Sequence, residues 1–155
     1  MKPKVYIETS VVSYLTARPS KNVIMAANQL LTVEWWDQRS SDFDLFISEL
    51  VIREARAGDP QAALLRLQTL ASITPLVLTA DANQLSAEVL KKKHLPLKAA
   101  DDALHLAIAT VHKMDYLLTW NCKHLANVEI QRDIAKLFRA NGYEPPVICT
   151  PYLLM

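Results

Sequence analysis

The chain has 155 residues, with 17 Lys and Arg against 16 Asp and Glu, so its net charge of +1 excludes a global electrostatic attraction to nucleic acid. It is 51% apolar and 21% charged, the balance of one globular domain, residues 1–155, that can bury a substantial core. No apolar stretch approaches the roughly 20 residues that span a bilayer, and the start of the chain reads as a strand rather than a signal peptide, so a cytosolic protein with no membrane contact is expected.

The first element is the run Val5-Tyr6-Ile7, a strand over 4–7 that is apolar throughout and therefore suits a sheet buried on both faces. It ends on Glu8, and a helix over 9–17 follows. Only two glycines occur, Gly58 and Gly142, so the turn after this strand lacks the glycines that cradle a dinucleotide or a nucleotide phosphate. A helix over 22–39 carries Trp35 and Trp36, which read as core or interface anchors before they read as base-stacking groups. A strand over 44–47 leads into a helix over 49–57 that contains Glu54. Asp59-Pro60 opens a helix over 60–72, since Pro suits a first helical position, and Thr74-Pro75 precedes a strand over 75–78.

A helix over 81–93 ends in Lys91-Lys92-Lys93-His94, with Lys98 close behind. This is the densest cationic run; it reads as a solvated helix end favoured by the dipole, with phosphate binding as the alternative. The helix over 100–113 repeats Ala100, Ala103, Leu104, Ala107, Val111 and Met114 at helical spacing, a core stripe with Asp102 nearly opposite it. Taken alone, Asp101 and Asp102 suit a cap and a first-turn acid. His105 and His112 stand seven residues apart, too far for an i, i+4 metal pair, and read as structural histidines. A strand over 116–120 ends at Asn121, a helix covers 130–141, and a last strand covers 147–149. Cys122 and Cys149 lack a CxxC or His-rich context and read as reduced thiols.

Strands alternating with helices predict right-handed crossovers and a three-layer α/β/α sandwich. Ligands of open α/β sheets sit beyond the carboxyl ends of the strands. Two strands that finish on the oxygen ligands Glu8 and Asn121, with Glu54 and Asp102 on helices between them, predict one shared acidic site.

Four stretches carry a resemblance. Val5-Tyr6-Ile7-Glu8-Thr9-Ser10-Val11-Val12 resembles the opening strand of PIN-domain ribonucleases, and of VapC-like toxins of toxin–antitoxin modules in particular. Ile47-Ser48-Glu49-Leu50-Val51-Ile52-Arg53-Glu54 is similar to their second motif, whose acid lies six residues past a Ser. Asp102-Ala103-Leu104-His105-Leu106-Ala107-Ile108-Ala109 is similar to the third. Leu118-Thr119-Trp120-Asn121-Cys122-Lys123-His124-Leu125 corresponds to the fourth, and Pro145-Pro146-Val147-Ile148-Cys149-Thr150-Pro151 resembles the family's last strand.

The resemblance implies a five-stranded parallel sheet of order 3-2-1-4-5. It implies a metal-dependent endoribonuclease that acts on single-stranded RNA. The catalytic residues would be Glu8, Glu54, Asp102 and Asn121, and Mg²⁺ or Mn²⁺ would be held by the acids Glu8, Asp102 and Glu54. Glu54 would also orient or deprotonate the water, and Thr9 and Ser10 are candidate phosphate contacts. A small antitoxin protein and a homodimer are the implied partners.

All-oxygen ligands favour those hard cations over zinc. Carboxylates about 4 Å apart repel by roughly 4 kcal/mol at an effective dielectric near 20, so such a cluster needs a cation or a proton to persist. Two positions depart from the family pattern. Glu8 stands where Asp is usual, so a metal sits further out or the longer side chain folds back. Asn121 is neutral where many relatives carry Asp, which weakens a second metal site more than a first. A PIN-fold protein that binds RNA or regulates without cleaving is the rival reading.

Overall fold

The computed structural model describes residues 1–155. Five strands form one parallel sheet: β1 (Lys4–Ile7), β2 (Asp44–Ser48), β3 (Thr74–Leu76), β4 (Tyr116–Leu118) and β5 (Val147–Cys149), in the order β3-β2-β1-β4-β5. Seven helices connect them: α1 (Thr9–Thr16), α2 (Val23–Gln38), α3 (Glu49–Ala55), α4 (Pro60–Leu70), α5 (Ala80–Lys91), α6 (Ala100–Val111) and α7 (Val128–Ala140). The chain steps outward from β1 to β3, then reverses to β4 and β5. Right-handed crossovers then put α1 to α4 on one face and α5 to α7 on the other, and the helices pack against one another within those two groups. The result is the expected three-layer, PIN-like sandwich with its sheet order.

β1 lies at the centre, with Tyr6 in register with Phe46 on one side and Leu117 on the other. Val5, Tyr6, Ile7, Leu117 and Leu118 are fully buried, which explains why β1 and β4 read as unbroken apolar runs. Helix starts follow side-chain caps: Ser48 accepts from the Val51 N–H, Asp59 from Ala62, Thr79 from Ala82 and Asn127 from Glu129 and Ile130.

Three boundaries differ from expectation for local reasons. α7 begins at Val128 rather than 130 because Asn127 caps it. β3 starts at Thr74, and Pro75 is tolerated because this strand lies at the sheet edge. β4 stops at Leu118, after which Thr119 and Trp120 turn their polar groups to the residues that follow β1.

The predicted stripe on α6 is too narrow. Ala103 and every residue from His105 to Thr110 are buried, because α5 covers one side of the helix while the sheet covers another. Trp35 is buried and Trp36 half-buried, as core anchors. No helix is long and apolar enough to cross a membrane.

Candidate active site

Strand order reverses between β1 and β4, and the crevice at their carboxyl ends is where such sheets bind ligands. Glu8 follows β1 directly and is buried, with 6% exposure. Its longer side chain folds back: Oε2 accepts the Ser10 N–H at 2.8 Å, capping α1, and the Thr119 hydroxyl at 3.2 Å. Burial pushes its carboxyl above the ordinary carboxylate range, against the opposing pull of His105 and the Ser10 hydrogen bonds.

Glu54 stands on α3, and its Oε1 accepts two bonds, from the Thr9 hydroxyl at 2.7 Å and from His105 Nε2 at 2.5 Å. Burial alone would raise this carboxyl. The His105 hydrogen bond and charge, with help from Thr9 and Arg53, outweigh it and hold Glu54 below its usual range. His105 is fully buried. Its Nδ1 lies 2.6 Å from the Tyr6 hydroxyl, which lies 2.7 Å from Ser48 Oγ. Burial drives the Tyr6 hydroxyl far above its normal titration range, so it stays protonated.

Asp102 sits in the first turn of α6, and its Oδ2 lies 3.1 Å from His124 Nδ1. Asn121 Oδ1 accepts the His124 N–H at 3.0 Å, and the Asn121 N–H donates to Thr119 Oγ1 at 2.9 Å. Asn121 is thus the cap of the turn after β4, and the same turn aims His124 at Asp102. An ion pair between Arg53 and Asp101 at 3.0 Å ties α3 to the start of α6 beside these residues.

One hydrogen-bonded network therefore joins three of the four predicted residues, running from Glu8 through Thr119, Asn121 and His124 to Asp102. Glu54 enters through Thr9, the residue after Glu8. Each acid uses a single oxygen in these contacts. Glu8 Oε1, Glu54 Oε2 and Asp102 Oδ1 have no protein partner, and no buried polar side-chain atom of the molecule lacks one. Those three oxygens therefore reach solvent.

Donors of this kind suit Mg²⁺ or Mn²⁺. No three His, Cys, Asp or Glu side chains stand close enough to hold a metal ion by themselves. Mg²⁺ does not usually require such a cage, since it keeps waters and takes one or two carboxylates together with substrate phosphates.

Thr9 and Ser10, the candidate phosphate contacts, are occupied inside the site. Thr9 holds Glu54, and Ser10 Oγ accepts the Trp120 N–H at 2.8 Å. The sequence reading missed His105, His124, Tyr6 and Thr119. The seven-residue spacing from His112 carries no sign of its role, because His105 stands three residues after Asp102, one helical turn along α6, and its partner is an acid on another helix. Lys91, Lys92, Lys93 and Lys98 are exposed and form no ion pair. Cys122 is exposed, Cys149 is buried, and both are free thiols.

Compared by sequence, the chain matches no protein-family model and no curated protein. Compared by structure, it is similar to the sarcin-ricin loop cleaving toxin VapC20 of Mycobacterium tuberculosis, with a TM-score of 0.61 at 16% identity over 77% of this chain and 92% of that one. It is also similar to a chain of the Rickettsia felis VapBC2 complex bound to a DNA fragment from its promoter, with a TM-score of 0.57 at 13% identity over 95% of this chain and 98% of that one. At these identities the likeness is one of fold.

Proposed function

We propose that this chain is a metal-dependent endoribonuclease of the VapC toxin type, acting on single-stranded RNA. The observation that carries this reading is the hydrogen-bonded network beyond the ends of β1 and β4 that holds Glu8, Glu54 and Asp102, each through one oxygen, and leaves the other oxygen of each without a protein partner. The likeness in fold to VapC20, whose name describes cleavage of the sarcin-ricin loop, supports RNA as the substrate class.

Asp102 and Glu8 are the residues that would hold Mg²⁺ or Mn²⁺ through their free oxygens. Such an ion supplies charge neutralisation at the scissile phosphate and acidifies a water for in-line attack. Glu54, held ionised beside His105, would be the residue to accept a proton through Oε2 from an attacking water. The Asn121 amide nitrogen has no protein partner and donates to a phosphate oxygen. With Asn121 neutral and Glu8 buried, the site carries less negative charge than four acids would, and one cation satisfies it. Thr9 and Ser10 act by fixing Glu54 and the Trp120 backbone beside the phosphate.

A small antitoxin that covers these acids, and a homodimer, complete the proposal. The likeness to a chain of the VapBC2 complex supports a protein partner. Incubation of the purified protein with a labelled single-stranded RNA in Mg²⁺ or Mn²⁺ tests the reading. Endonucleolytic products that vanish on chelation are expected, and intact RNA under all metal conditions refutes it. Tight RNA binding without cleavage would favour the non-cleaving alternative.

A further inference from the structure

We infer that His105 is a positioning residue for Glu54, held in place by Tyr6 and Ser48, so that the general base is steered from inside the core. The inference rests on the nuclease reading for its kinetic consequence and on the geometry for its structure. Ser48 Oγ, the Tyr6 hydroxyl, the two nitrogens of His105 and Glu54 Oε1 form an unbroken chain with steps of 2.7, 2.6 and 2.5 Å. It starts in the fully buried core and ends at a carboxylate whose side chain is 30% exposed.

A histidine was not needed for packing. Its α6 neighbours on the buried face are Leu106, Ala107, Ile108 and Ala109, and an apolar side chain there would avoid the cost of burying two polar nitrogens. Both nitrogens are instead satisfied, one on each side. The Tyr6 hydroxyl engages Nδ1 and stops the ring from turning over, so the Nε2 proton is delivered to Glu54. The Nε2–H then fixes which oxygen of Glu54 faces inward. Thr9 donates to that same oxygen, and Oε2 is left as the one facing solvent. Ser48 does two jobs, since its Oγ also accepts the Val51 N–H and so caps the helix that carries Glu54. The start of α3 and the orientation of its catalytic side chain are therefore set by one buried chain.

Two amides separate positioning from bulk. The amide of Gln reaches about as far as Nε2 and can still donate to Glu54, whereas the amide of Asn reaches only as far as Nδ1 and meets Tyr6. If His105 positions Glu54, H105N lowers kcat for single-stranded RNA by about 10–100-fold, the range seen when a supporting partner of a site is lost. KM should change little, and H105Q should recover part of the loss even where the melting temperatures of the two variants are equal. If the two variants lose activity in proportion to their loss of stability, His105 is only a core residue and the inference falls.

A second readout needs no activity. In ¹⁵N NMR of the intact protein, His105 should carry a slowly exchanging proton on Nε2, and Y6F should speed that exchange. A proton confined to Nδ1, or exchange untouched by Y6F, overturns the inference. If the wild type fails to cleave any RNA, the nuclease reading falls by itself, and the ring-nitrogen measurement still decides whether His105 orients Glu54.

Discussion

The Thr119 hydroxyl donates to Glu8 Oε2 at 3.2 Å and accepts the Asn121 N–H at 2.9 Å. This fully buried residue thereby ties the end of β1 to the turn after β4 across the switch point. T119V keeps the shape and deletes both bonds, leaving a carboxylate oxygen and a backbone N–H short of a partner. Such losses cost about 1–3 kcal/mol. Urea denaturation should show a cost of that size for T119V and a smaller one for T119S, which retains the hydroxyl.

Glu8 sets a pH dependence of stability. Its carboxyl titrates above the usual range in the folded protein because it is buried, so the folded state holds its proton more tightly than the unfolded chain does. Stability then falls as pH rises from the unfolded value through the raised folded one. Glu54 has the opposite sign: its depressed value stabilises the fold above the ordinary carboxylate range, and that contribution is lost as pH falls through the folded value. In chelator, E8Q should remove the decline on the alkaline side of the Glu8 window and be more stable than the wild type at neutral pH. A variant that melts lower than wild type at pH 7 would show that the Glu8 charge stabilises the fold.

Asn121 contributes an oxygen to the His124 N–H and keeps its nitrogen free. In N121D a carboxylate oxygen can accept that same N–H, so the turn survives while a negative charge is added next to Asp102 and His124. Titration calorimetry should find tighter Mn²⁺ binding in N121D than in wild type. Weaker binding would mean that a charge at this position does not reach a cation site, and the argument from the lost acid would fail.

Asp102 separates a ligand from a first-turn acid. In D102N the amide oxygen can still face His124, and one negative charge leaves the acidic network, so the metal-free protein should be at least as stable as wild type. Mn²⁺ should raise the melting temperature of the wild type, by binding the folded state alone, and do so much less in the variant. A residue that only complements the helix dipole would instead cost about 0.3–1 kcal/mol when neutralised, with the same Mn²⁺ response in both proteins.

The elements were legible because their signals are local. Val5–Ile7 and Tyr116–Leu118 are apolar without a break, and Asp59-Pro60 punctuates a helix. The sheet order came from the family resemblance rather than from any pattern in the strands. The acids were legible as strand-end and helix-start residues. Their partners were not, because the contacts are long-range: His105 meets Tyr6 and Glu54 at separations of 99 and 51 residues. On α6, His105 looks like one more buried position in an Ala- and Leu-rich helix. For Glu8 the sequence left two outcomes open, a displaced metal or a folded-back side chain, and the side chain is held folded back by the Ser10 and Thr119 bonds.

Cleavage of an end-labelled single-stranded RNA while Mn²⁺ is titrated, with wild type beside D102N, tests the central claim most directly. The wild type should be silent in chelator, gain activity saturably with Mn²⁺ and yield internal cuts, while D102N stays inactive at every concentration. Cleavage that persists in chelator, or that D102N retains in full, would contradict the assignment of these carboxylates as a metal-dependent ribonuclease site.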